Sequence, residues 1–469
     1  MQYLSIADFV ITPIFIIFVY FYSRTVQKKK IEAHPEYRYY IQGLSVKIFG
    51  GIGVALVYSL YYNGGDTTTY YADAVCILKL QFTNPGGFFQ VMQEGLNKTN
   101  YFYFNGNTGY PTFWRDPYSA FVVRVVWLPV LLGLTSFLGA TIMIAWLSFE
   151  GVWRLYKVFV YEFPMLTREM AIAVLFIPSV FFWGSGILKD TVTLSAIGYY
   201  TYSFHNLFIL KKRILKSAIV IVIAFYVVLS VKPYLIFGIL PGSLVWITSN
   251  VLSKLKGSIL KVGTAPLLVF FSILFGFLML DNLGTDLGVY SLDSVLNRAV
   301  ITQKDLKSEN YHGNSFDIGN YDPTMQGMLS KAPQALAATL FRPTILEVRN
   351  VVMFLSALEN LFILYFTIKV LIKVRVIGLF RYFTKHHLLT FSLMFSLFLA
   401  FAIGISTSNF GSLVRYKIPV MPFYVASLFI INYYEGLRDK NLYKTEYIDE
   451  PENKEIESEE KTGVELQSV

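Results

Sequence analysis

Two carboxylates stand seven residues apart in the stretch Asn63-Gly64-Gly65-Asp66-Thr67-Thr68-Thr69-Tyr70-Tyr71-Ala72-Asp73-Ala74. On a helix that spacing brings Asp66 and Asp73 to nearly one face. The Gly-Gly pair before them gives a sharp exit from the preceding apolar run and leaves room for another group to approach. A positioned carboxylate can deprotonate a hydroxyl. The same residues also fit an Asp N-cap on an interfacial helix, with Tyr70 and Tyr71 at headgroup level. Both readings stand at this point.

Other charged residues fall where apolar runs end. Lys189-Asp190 follows Trp183-Gly184-Ser185-Gly186, a turn without bulk. The pair reads either as a cap with a snorkelling lysine or as part of a site that the glycines leave open. Arg415-Tyr416-Lys417 precedes Ile418-Pro419-Val420-Met421-Pro422. There an arginine fork and a lysine point charge suit a lipid phosphate, or ordinary headgroup contact. Arg342 precedes Glu347 by five residues, close enough for the two to pair with each other. Arg124 is placed near the outer surface. The five histidines have no metal-ligand spacing, and Asn97-Lys98-Thr99 matches only a glycosylation tripeptide. No phosphate-binding Gly-rich loop, kinase set or nucleophile elbow is present. No cofactor motif appears, and a divalent metal is left open.

The elements that must position these residues are membrane helices. Of 469 residues, 54% are hydrophobic, 17% aromatic and 15% charged, and the mean hydropathy is +0.50. That composition belongs to a polytopic all-α membrane protein. Cys76 is the single cysteine, which excludes a disulfide framework. The net charge of +9 is spread over many short loops, a pattern that reports orientation and argues against nucleic acid. The N-terminus has neither a basic region nor a small-residue cleavage site, so a retained first helix is expected.

Apolar runs at about 4–23, 43–62, 136–153, 169–186, 188–207, 217–231, 234–250, 264–281, 350–370, 387–405 and 416–434 predict about 11 transmembrane helices. Basic clusters around Lys28, Arg154, Lys211, Lys254 and Arg375 agree under one parity, with all five in the cytoplasm. Residues 63–118 and 282–349 then become two long extracytoplasmic loops carrying short interfacial helices. Residues 119–156 are too long for one helix. One span plus an interfacial piece around Phe121 to Gly133 keeps the parity. Residues 1–435 form the membrane domain. The charged tail, 436–469, is expected to be cytoplasmic and largely disordered.

The order of features resembles the GT-C superfamily of polytopic glycosyltransferases, in particular divergent bacterial members of surface-polysaccharide assembly. The features are Asp66 after a span, Arg124 before a span, Pro178-Ser179 in a span ending at Asp190, and the Arg415 to Pro422 segment. The resemblance runs from about 43 to 435. It implies sugar transfer from a polyprenyl-phosphate-linked donor to a glycan, lipid or protein acceptor, at the outer face of a bacterial inner membrane. It places Asp66 as base, Asp190 as a second acid that positions the acceptor or a metal, and Arg415 at the donor phosphate. Asp73, Arg124, Lys189, Arg342 and Lys417 are the accompanying candidates for substrate contact. Here Asp66 lacks the adjacent acidic partner often found in the family, and an extra N-terminal span precedes the first loop. An O-antigen-polymerase- or ligase-like enzyme would lean on Arg298 and His312. A transporter would carry ionisable residues near mid-membrane, where the predicted span centres are almost free of charge.

Overall fold

The structure is a computed structural model, and it describes residues 3–253, 301, 315–374 and 386–439. Its helices are α1 (Ile6–Lys30), α2 (Tyr40–Leu56), α3 (Asp66–Thr83), α4 (Pro85–Glu94), α5 (Pro117–Leu132) and α6 (Phe137–Glu162). There follow α7 (Thr167–Leu175), α8 (Pro178–Trp183), α9 (Lys189–Phe204), α10 (Ile214–Val231) and α11 (Ile236–Ser253). The last group is α12 (Met325–Ser330), α13 (Ala332–Phe341), α14 (Val351–Val374), α15 (His387–Ser406), α16 (Phe410–Tyr416) and α17 (Val420–Asp439). Among the described residues no strand forms beyond the isolated bridge between Ser315 and Asn409.

Among the described residues six helices are long and apolar enough to cross a membrane, or up to eight if each of two bent pairs is one span. The six coincide with the expected runs at 4–23, 43–62, 217–231, 234–250, 350–370 and 387–405. The expected count of about 11 is not confirmed among the described residues, for local reasons. The run 169–186 breaks at Pro178, whose ring and missing N–H end α7 and start α8. The run 188–207 is α9, a buried helix with Lys189, Asp190 and several threonines. The runs 136–153 and 416–434 fall in the bent pairs, α5 with α6 at 110° and α16 with α17 at 63°. The run 264–281 lies outside the described residues, as do Arg298, His312 and the tail from 440. Exposed Phe9, Ile14, Phe18 and Phe21 on α1, and Leu355, Phe362 and Ile372 on α14, give apolar faces suited to lipid.

Among the described residues two apolar clusters make up the interior. The larger joins α2, α6, α7, α9, α11, α15 and α17 around Trp153, Trp246, Phe391 and Phe395. In the smaller, α3 and α4 pack on α5 through Tyr70, Ile77, Phe88, Val122 and Val126. Residues 66–116 are therefore a helical layer. Helices α6 and α9 cross backbone to backbone, since a Cβ on Gly198 would lie 2.0 Å from the Gly151 carbonyl oxygen. No rotamer relieves that collision. Gly198→Leu should thus abolish the folded, monodisperse protein in size-exclusion chromatography, and an unaltered elution profile and melting temperature would refute the crossing.

Helix α8 is short, with Ser179, Val180 and Trp183 buried, and is held by a charged side chain at each end. Glu359 of α14 accepts from the Ser179 backbone N–H and hydroxyl, both at 2.6 Å, at its N-terminus. Lys47 of α2 donates to the Gly184 carbonyl at its C-terminus and to Ser185 Oγ at 3.4 Å. An anion at the positive end and a cation at the negative end both match the helix dipole, and both satisfy groups that a six-residue helix leaves open. Lys47 and Glu359 are 4% and 8% exposed. Glu359, at the middle of the run 350–370, corrects the expectation that span centres are almost free of charge. Polar backbone at a helix break inside an apolar region requires such partners.

Candidate functional site

The site lies on the seam between the two clusters, where three helix ends meet. Asn63 is left-handed at φ 54°, and Gly64 and Gly65 follow at φ 134° and 132°, so the chain reverses in three residues before α3. Glycine takes that backbone without strain. A Cβ on Gly65 would lie 2.9 Å from the Tyr58 ring, so this turn packs directly on Tyr58. Gly65 is the N-cap of α3, with no side-chain cap bond. Asp66, the first helical residue, therefore does not cap, which removes the simplest structural account of it. Its carboxylate accepts from Arg415 Nη1 at 2.9 Å.

Asp190 sits in the first turn of α9, whose N-cap is Leu188. The preceding turn is held by Lys47 and by Thr191 Oγ1, which donates to the Gly186 carbonyl at 2.6 Å. The glycines there do not leave open space. A Cβ on Gly186 would meet Val54 at 2.7 Å, and one on Gly51 would meet the Ser185 carbonyl at 2.9 Å, so α2 fills the room expected for a substrate. Asp190 is fully buried between two cations: Lys232 Nζ donates to Oδ1, and Arg415 Nε to Oδ2 at 3.4 Å. Arg415 lies in the last turn of α16 and also donates from Nη1 to the Tyr58 hydroxyl at 3.2 Å. Both acids thus stand at helix starts and the arginine at a helix end, each the favoured sign for the local dipole.

The three residues expected to act together, Asp66, Asp190 and Arg415, share one ion cluster although 349 and 225 positions separate Arg415 from the two acids. No protein-family model, curated protein or solved structure matches the chain. The site is therefore read from its own chemistry. Side-chain exposure grades across it, from 0% for Asp190 through 20% for Arg415 to 43% for Asp66. Its open edge is the Asp66 edge. Among the described residues no group of three or more His, Cys, Asp or Glu is arranged to hold a metal.

The accompanying candidates divide. Lys189 lies beside the cluster and donates to Asp116 at 3.1 Å, tying the start of α9 to that of α5. Asp116 caps α5 through Tyr118 N–H. Burial would raise its pKa, but the hydrogen bond from Ser119 and the Lys189 charge hold it below the usual carboxylate range. Asp73 does not face the site. Its oxygens accept from the Thr112 and Phe113 backbone N–H groups at 2.8 Å each, and its pKa is raised by burial against those bonds. Two turns along α3, the shared face is covered by the 112–115 turn. Arg124 is also away from the site: it donates to the Met92 carbonyl at 2.9 Å and lies over Phe121, joining α4 to α5. Arg342 pairs with Glu347 through Nε at 2.8 Å and covers Phe316, so it stiffens the lead into α14. Lys417 is fully buried and donates to Asn360 Oδ1 at 2.5 Å, turned from Arg415 toward Glu359.

Three cluster residues were not singled out in the sequence. Tyr58 and Asp116 gave no local signal. Lys232 did, because Lys232-Pro233-Tyr234 interrupts two apolar runs, and a cation between spans is a functional candidate by position. Its ammonium also lies 5.0 Å from the Tyr416 ring centroid. The neighbouring Tyr234 hydroxyl is buried without a hydrogen-bond partner among the described residues.

Proposed function

We propose that the chain is a membrane glycosyltransferase that moves a sugar from a polyprenyl-phosphate-linked donor to a glycan, lipid or protein acceptor. The meeting of Asp66, Asp190 and Arg415 in one partly open ion cluster carries this reading. Glycosyl transfer needs a carboxylate to take the acceptor hydroxyl's proton and a cation to receive the leaving phosphate. In the reaction the acceptor oxygen bonds to the anomeric carbon while the bond from that carbon to the phosphate oxygen breaks. The electron pair leaves with the lipid phosphate, held at Arg415, and the proton passes to Asp66. Under the positive-inside arrangement this edge faces the periplasm or exterior of a bacterial inner membrane. Transfer assayed in vesicles with a polyprenyl-phosphate sugar tests it. Arg415→Ala should abolish donor use and Arg415→Lys should retain part of it, because lysine keeps the charge but not the fork. Equal turnover by both variants and the parent would reduce Arg415 to an anchor.

Transport is a second reading, and buried Glu359 beside Lys417 within the helices favours it. Glu359 is, however, fully engaged with the start of α8, a structural use that needs no transported ion. Flux without transfer in the same vesicles would favour transport. The polymerase- or ligase-like alternative rests on Arg298 and His312, which lie outside the described residues.

A further inference from the structure

Arg415 is anchored on one edge and exchangeable on the other. Its Nε faces Asp190, which is fully buried and shared with Lys232, so that contact is fixed by two cations around one anion. Its Nη1 faces outward to Asp66 and the Tyr58 hydroxyl. Among the described residues nothing accepts from Nη2. The guanidinium thus presents a forked edge, and that edge suits two oxygens of a phosphate. Asp66 now occupies half of it.

We propose that Asp66 is a stand-in anion on the outer edge of Arg415, displaced when the phosphate of the prenyl-phosphate-linked donor binds there, the group that leaves after transfer as a prenyl phosphate monoester. Asp66 gives way and Asp190 does not, because the Asp66 side chain is 43% exposed and can be solvated on release. A solvated ion pair is worth little, whereas a buried carboxylate stripped of its partners is strongly destabilised. Release needs only a side-chain rotation at the first residue of α3, where no cap bond ties the carboxylate. The freed carboxylate remains beside the bound phosphate, with Oδ2 no longer shared with a guanidinium. One event then seats the leaving group and clears the proton acceptor. This rests on the donor reading above and adds an order to it, phosphate first.

The consequence has an unusual sign. If Asp66 competes with phosphate, removing its charge must tighten phosphate binding while transfer is lost. Binding of inorganic phosphate and of a short-chain prenyl phosphate to detergent-purified protein reads this directly. Vesicles of phosphatidylglycerol supply a phosphodiester headgroup for comparison. Asp66→Asn and Asp66→Ala should each bind the phosphate monoesters about 2- to 5-fold more tightly, the scale of an exposed ion pair. Arg415→Gln should lose binding, and Asp73→Asn should match the parent. Unchanged or weaker monoester binding by both Asp66 variants overturns the displacement and leaves the donor reading standing. A gain confined to phosphatidylglycerol keeps the displacement but overturns the prenyl phosphate as its cause. No phosphate binding by the parent or any variant overturns both.

Discussion

The Asp66→Asn protein is expected to insert, fold and elute like the parent, and to transfer sugar about 10²–10⁴-fold more slowly. Gly65 supplies the N-cap of α3 without any side-chain bond, so the amide removes no cap. The lost contact to Arg415 involves a side chain that is 43% exposed, and such pairs contribute about 0–1 kcal/mol. Folding is therefore barely touched. An amide cannot accept the acceptor's proton, so transfer alone should fail. Initial rates in proteoliposomes, normalised to the folded fraction from size-exclusion chromatography, separate these effects. A parental rate would end the assignment of Asp66 as base.

Within the ion cluster, Lys232→Met should have the largest effect on stability. It leaves Asp190, with no exposed surface, facing only the longer contact to Arg415 Nε at 3.4 Å. Removing one partner of a buried pair typically costs about 3–5 kcal/mol, because the other charge stays buried and uncompensated. The double variant Lys232→Met/Asp190→Asn should regain much of that loss, since the unpaired charge is gone, yet remain inactive. Thermal unfolding in detergent reads the first statement and vesicle transfer the second. A double variant no more stable than Lys232→Met would show that the pair does not govern this corner of the fold.

Much of the site was legible because charge at the end of an apolar run is conspicuous. Asp66, Asp190 and Arg415 each sit at such an end, and the structure brings all three together. Helical spacing alone misassigned Asp73, since seven residues restore the face but move the side chain two turns along, under the 112–115 turn. Arg342 pairs with Glu347, the alternative its spacing left open, whereas Lys417 was misplaced because only the tertiary crossing brings its partner Asn360 near. Among the elements, six runs became full-length helices, while Pro178 and the polar residues of α9 divided the stretch between 169 and 207. An apolar count registers composition. It does not register where a proline or a buried carboxylate makes breaking a helix cheaper than continuing it.

The bracket around α8 bears on how the chain is made. Its two charges come from opposite sides of it in the sequence, Lys47 lying 137 residues before the carbonyl it holds and Glu359 lying 180 residues after the amide it receives. During synthesis the second span therefore enters the bilayer with an ammonium whose acceptor has yet to be translated. The break at Pro178 in turn enters with open N–H groups whose acceptor comes later still. Until α14 is delivered, the half-finished bundle holds exposed polarity that only water, headgroups or an insertion chaperone can satisfy. A ribosome paused shortly before residue 359 would leave a nascent chain vulnerable to membrane proteases. One paused after α14 has emerged would carry a bundle already locked at its centre.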